Sequence, residues 1–226
     1  MTFYQKTLLD NGTVVVTEKV PDVRSVAIGF WVNVGSRNES DEESGMSHFI
    51  EHMMFKGTKT RSAKDISETF DSLGAELNAF TTKEFTCYYS RLIDEHIDVG
   101  VEVLTDMVQN SLLNEEHIDF EKQVVLEEIA MYEDTPDELI HELFTSTLWE
   151  NHPLGRQVLG SRETVGSFDR AKVVAFMDKY YTSGNIIISA AGNLDHEKLV
   201  DLVKKYYKPE ALKKPDQVTE KPKIKQ

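Results

Sequence analysis

Between Ser25 and Ser36 the chain reads SVAIGFWVNVGS, with Val26, Ile28, Phe30, Val32 and Val34 at every second position. Side chains of an extended strand point alternately to opposite faces, so this run commits one apolar face to a core. The preceding GTVVVTEKV is rich in β-branched residues, and Asn11-Gly12 offers a turn joining FYQKTLLD to it. A sheet built this way needs a cover. After the polar loop SRNESDEESG, helical patterns supply it.

The predicted helices cover about residues 46–56, then SAKDISETFDSLG with Ser62 as cap and Gly74 as stop. AELNAFTT and EFTCYYSRLI follow as a hairpin of strands. Then come DEHIDVGVEVLTDMVQNS, NEEHIDFEKQVVLEEIAMYED, PDELIHELFTSTLWE and SFDRAKVVAFMDKYY as helices, GNIIISAAGN as a buried strand, and DHEKLVDLVKKYY as a last helix. Pro136 sits in a first turn, where it is tolerated. Hairpins combined with helices predict an α+β fold with an antiparallel or mixed sheet. With 226 residues, a globular lobe over 1–207 and a linker or tail over 208–226 are expected, because three of the six Pro and many Lys lie in that tail.

Charge narrows the function. The net charge is −14; residues 204–226 hold eight Lys against three acids, so the first 203 carry −19. Such an acidic body disfavours nucleic acid and suits basic partners, basic peptides among them. No apolar run approaches the ~20 residues of a membrane-spanning helix, and the start of the chain has no basic-then-apolar signal pattern, so a cytoplasmic protein without membrane attachment is expected. The single cysteine, Cys87, excludes an internal disulfide and a Cys-based zinc site. Its alternation with Phe85 and Tyr89 reads as a core strand position.

One stretch carries chemistry. GMSHFIEHMMFKGT places His48 and His52 four residues apart, on one face of a helix. Two imidazoles so placed can share a Zn2+. Glu51, at the edge of that face, is suited to act as general base toward a metal-activated water; H-x-x-E-H is a known zinc-peptidase signature. The competing reading is a core helix that happens to carry two histidines, since Met46, Phe49, Ile50, Met53, Met54 and Phe55 surround them.

A catalytic zinc needs a third protein ligand. In NEEHIDFEKQVVLEEIAMYED, set Ile118 at 0° and step by ~100° per residue. Val125 and Ile129 then fall within about 20° of Ile118, and Phe120, Val124 and Met131 fall at roughly 200–240°. Glu121 and Glu128, at about 300° and about 280°, lie together between two apolar groups, on a face expected to be buried. Buried carboxylates are rare unless paired or metal-bound. Glu128 is the expected third ligand, and Glu121 a supporting acid of the catalytic group; solvated helix charges are the alternative. Glu127 points to the surface.

Together, SHFIEHMMFKGT, LNAFTTKEFTCYY and FEKQVVLEEIAMYEDTP resemble the pitrilysin/insulinase family of zinc peptidases, in its bacterial, mitochondrial-processing-peptidase-like branch, over about residues 4–207. The resemblance implies His48, His52 and Glu128 around one Zn2+ per chain, Glu51 as general base and Glu121 as supporting acid. It also implies that Asn78, Ala79, Phe80 and Thr81 form an edge strand to which an extended peptide adds. The implied activity is zinc-dependent endopeptidase, acting on peptides or presequence-like segments. Family members of this branch pair two lobes. Here a second lobe, in the same polypeptide or a separate subunit, and association into a dimer are therefore expected. A non-catalytic scaffold subunit of the same fold is the alternative, and a small-molecule metallohydrolase a more distant one.

Overall fold

The computed structural model describes residues 4–209, 214–216 and 221. Three strands open the chain: β1 (Tyr4–Leu8), β2 (Val14–Lys19) and β3 (Ser25–Val32). Helices α1 (Met46–Met53) and α2 (Ala63–Ser72) precede the hairpin of β4 (Glu76–Thr81) and β5 (Thr86–Ile93). Helices α3 (Ile97–Asn110), α4 (Glu115–Glu133), α5 (Pro136–Leu148), α6 (Arg162–Gly166) and α7 (Arg170–Tyr180) follow. Strand β6 (Ile186–Gly192) and helix α8 (His196–Tyr206) come last.

The six strands form one mixed sheet in the order β1-β2-β6-β3-β5-β4. Only the β2–β6 pairing is parallel; the other four are antiparallel. The fold is thus α+β with a mixed sheet, as the strand and helix patterns predicted. Val26, Ile28, Phe30, Val32 and Val34 are all at most 1% exposed, the alternation having placed them on the face under the helices. Register joins Phe30 to Tyr88 on one side and to Ile188 on the other, and all three are fully buried. Each such side chain contributes about 1.5–3 kcal/mol by leaving water. The site-bearing helix α1 shares this core through Met46, Phe49, Ile50 and Met53.

Two expectations need correcting, the end of α1 and the second apolar group of α4. The helix expected over 46–56 ends at Met53, and residues 54–56 form a turn. Cys87 is buried on β5, as expected of a core strand position, and packs on the reverse face of the sheet, opposite Trp31 in register and beside Phe80 and Tyr89. There Trp31, Phe80, Phe85 and Tyr89 pack with ring centroids 5.4–6.0 Å apart. The second apolar group on α4 is not covered: Phe120 is 65% and Met131 60% exposed, so the buried stripe is only Ile118, Glu121, Val125 and Ile129. The short α6 had no periodic signal and was not expected. The tail over 208–226 lies mostly outside the described residues. No helix among the described residues is long and apolar enough to cross a membrane.

Candidate metal centre and cleft

Helix α1 begins abruptly. Gly45 precedes it with φ of +92°, and a Cβ there would meet Leu159 O at 2.5 Å, so glycine is required twice over. The carboxylate of Glu39, 3% exposed, accepts hydrogen bonds from the backbone N–H of Gly45 and of Ser47, both at 2.8 Å. It satisfies donors that the first turn of a helix leaves unpaired. The start of α1 is therefore locked from two sides, and Phe49, Ile50 and Met53 lock its body into the core. What remains free to face α4 is the strip carrying His48 and His52.

The two imidazoles lie 4.7 Å apart, centroid to centroid. His48 Nε2 is 3.7 Å and His52 Nε2 is 3.6 Å from the same Glu128 oxygen, Oε2, on α4. These separations exceed hydrogen-bond range, yet they match the roughly 3.3 Å between neighbouring ligands of a tetrahedral ion held at about 2 Å. A donor atom from each of the three residues falls within 4.8 Å of the others. His48 Nδ1 is buried and has no hydrogen-bond partner among the described residues. Two imidazoles and one carboxylate, converging at these separations, fit a divalent ion of the zinc type.

Electrostatics agrees. Burial, helped by the neighbouring His52, pushes the pKa of His48 down to about 3, so the ring is neutral and its lone pair available. Burial raises the carboxyl of Glu128, partly opposed by His52. Burial likewise raises Glu51, partly opposed by its bond to Thr81 and by His52, while Glu128 adds to the rise.

The expected supporting residues also converge. Glu121, 1% exposed, lies about two turns before Glu128 on the same side of α4. Its Oε2 is 3.0 Å from His52 Nδ1. A carboxylate accepts only, so Nδ1 donates and the Nε2 lone pair is left facing Glu128. The other Glu121 oxygen, Oε1, is 2.6 Å from Lys56 Nζ. Lys56 was missed in the sequence, although it stands four residues after His52 and so repeats the spacing that links His48 to His52. Glu127 is exposed, as expected.

Strand β4 forms one edge of the sheet and borders the same cleft. Thr81 Oγ1 donates to Glu51 Oε2 at 2.5 Å. Ala79, Phe80 and Thr81 line a cavity of about 360 Å3 together with His48, Glu51 and Glu128. Asn78 is exposed, and its side-chain oxygen accepts from the Ala79 N–H at 2.8 Å. The opposite wall comes from Tyr132 and, on α5, Glu138, Leu139 and Glu142. Lys83 reaches Glu142 at 3.4 Å.

Residues 14–162 match the family described as insulinase (peptidase family M16), and residues 167–226 match the M16 inactive domain. An uncharacterized zinc protease of Bacillus subtilis, YmxG, is 46% identical over 217 residues, covering 93% of this chain and 53% of that protein. An uncharacterized zinc protease of Streptomyces coelicolor is 44% identical over 212 residues, covering 93% of this chain and 46% of that protein. Among solved structures, a protease from Helicobacter pylori superposes with a TM-score of 0.88 at 25% identity, covering 98% of this chain and 54% of that one. The chain spans about half the length of the curated relatives it matches. With more than half of its residues matched to one family, and a pair of histidines, a glutamate between them and a distant carboxylate meeting in one cleft, the chain belongs to the insulinase (M16) family of peptidases.

Proposed function

We propose that the chain is the metal-bearing part of a zinc-dependent endopeptidase. The observation that carries this reading is the convergence of His48, His52 and Glu128 beside Glu51, in a cleft bordered by a free sheet edge. His48, His52 and Glu128 would hold one Zn2+ per chain. When bound, the ion supplies Lewis-acid chemistry, acidifying water and polarising a peptide carbonyl. Glu51 takes the proton of the attacking water and returns it to the leaving amine. Thr81 orients the Glu51 carboxylate, and Glu121 orients His52. The backbone of Asn78, Ala79, Phe80 and Thr81 adds an extended peptide to the edge of the sheet, independently of its sequence.

The substrate is read as basic. Glu133, Glu138 and Glu142 line the cleft beside the metal ligands, and the net charge of the chain is −14. Extended basic segments of the presequence type fit such walls. Residues 1–207 are read as the zinc-binding lobe and 208–226 as the passage toward a second lobe. Phe120, Met131, Ile140, Leu143 and Phe144 are 51–65% exposed on α4 and α5. That apolar surface, with the half-length match to relatives, supports a second lobe or a dimeric partner covering it.

The test is zinc content together with cleavage of a quenched basic peptide, with and without chelator, for the chain alone and joined to its second half. Chelator-sensitive cleavage is expected. Zinc without cleavage in either form would favour a non-catalytic partner subunit.

A further inference from the structure

A carboxylate as deeply buried as Glu121 needs partners for both oxygens, or it costs the fold several kcal/mol. Oε2 is taken by His52 Nδ1 at 3.0 Å; Oε1 accepts no hydrogen bond among the described residues, and its charge is met only by the ion pair with Lys56 Nζ at 2.6 Å. Both partners come from the same short stretch. Lys56 lies in the turn closing α1, where its N–H bonds Met53 O at 3.1 Å. Its side chain is 32% exposed, so the ammonium reaches inward while keeping contact with water. Among the described residues, no other Lys or Arg makes an ion pair with Glu121. Lys56 does not line the cleft, so it is placed to act on Glu121 and not on a substrate.

We propose that Lys56 is a positioning residue of the metal centre: its ammonium pins Glu121, and Glu121 in turn holds the His52 ring with Nε2 toward Glu128. The inference rests on His48, His52 and Glu128 being the metal ligands. Its logic is that of outer-shell partners generally, which fix the tautomer and orientation of a ligating imidazole. Without the ammonium, Glu121 Oε1 is a buried charge with no counter-ion, and the carboxylate relaxes by turning away from His52.

The experiment compares wild type, Lys56→Met, Lys56→Arg, Glu121→Gln and the double variant Lys56→Met/Glu121→Gln. Zinc affinity is measured by competition with a chromophoric chelator at fixed pH, and the His52 tautomer of the metal-free chain by imidazole nitrogen NMR. Lys56→Met is expected to weaken zinc about 10–100-fold and to lose the single Nδ1–H tautomer of His52. Lys56→Arg is expected to recover most of the affinity. The double variant is expected to bind no more weakly than Glu121→Gln alone, because both residues act along one line. Should Lys56→Met fail to fold, the double variant, which leaves no buried charge unpaired, is compared with Glu121→Gln in its place. Unchanged affinity and tautomer in Lys56→Met would overturn the proposal while leaving the zinc ligands standing, as would independent multiplying losses in the double variant. A wild type that binds no zinc would overturn the ligand assignment and the role of Lys56 with it.

Discussion

Thr81 Oγ1 donates to Glu51 Oε2 across 2.5 Å and so ties the sheet edge to the helix that bears both histidines. The bond links the strand proposed to bind the peptide with the proposed base. Thr81→Val should leave zinc content unchanged and lower kcat by about 10–100-fold, the worth of a hydrogen bond to a charged group, with a much smaller change in KM. Thr81→Ser should restore most of kcat. Steady-state kinetics on the chain joined to its proposed second lobe checks the split; a loss of stability with no rescue by serine would make Thr81 merely structural.

Glu51 is not within the donor group formed by His48, His52 and Glu128. Glu51→Gln should therefore retain zinc and lose at least about 100-fold in turnover, the lower bound for general acid–base catalysis. Metal analysis and peptide cleavage on the same sample decide it. Wild-type cleavage by this variant contradicts the assignment of the base.

A second carboxylate, remote from the cleft, sets an acid limit on stability. Burial acts to raise Asp106, but hydrogen bonds from Thr58, Thr60, Asn110 and Arg61 outweigh it and hold the carboxyl below its ordinary range. Because the folded pKa is depressed, its stabilisation is complete above the unfolded value of about 3.9 and is lost as pH falls through the lower folded one. Urea unfolding of the metal-free chain should show Asp106→Asn less stable than wild type at pH 7, by on the order of 1 kcal/mol. The gap should close below pH 4. A gap that widens toward acid would mean the sign is wrong.

The apolar strip on α4 and α5 should drive association. Leu143 and Phe144 are 51% and 64% exposed. Leu143→Lys with Phe144→Lys should shift the sedimentation profile at tens of micromolar toward monomer without changing zinc affinity. An unchanged profile would remove this strip from the interface.

Much of this architecture was legible in residue order. Alternation from Val26 to Val34 set a buried strand face, and one helical turn of spacing put His48 and His52 side by side. Arithmetic around α4 singled out Glu128 and Glu121, the two carboxylates that meet the histidines. What was illegible is non-local. The insertion of β6 between β2 and β3, parallel to β2, depends on a long crossover that local periodicity does not encode. The exposure of Phe120 and Met131 was misjudged because apolar spacing marks a surface that wants cover without saying whether this chain provides it. Lys56 escaped notice because its partner, Glu121, lies 65 residues away in sequence.

Every role proposed above depends on one zinc ion being held by His48, His52 and Glu128. Anomalous diffraction at the zinc edge, on crystals of the zinc-loaded protein, tests it most directly. A single strong peak is expected about 2 Å from Nε2 of both imidazoles and from a Glu128 oxygen. No peak at that position after zinc loading, or an ion bound by other residues, would contradict it.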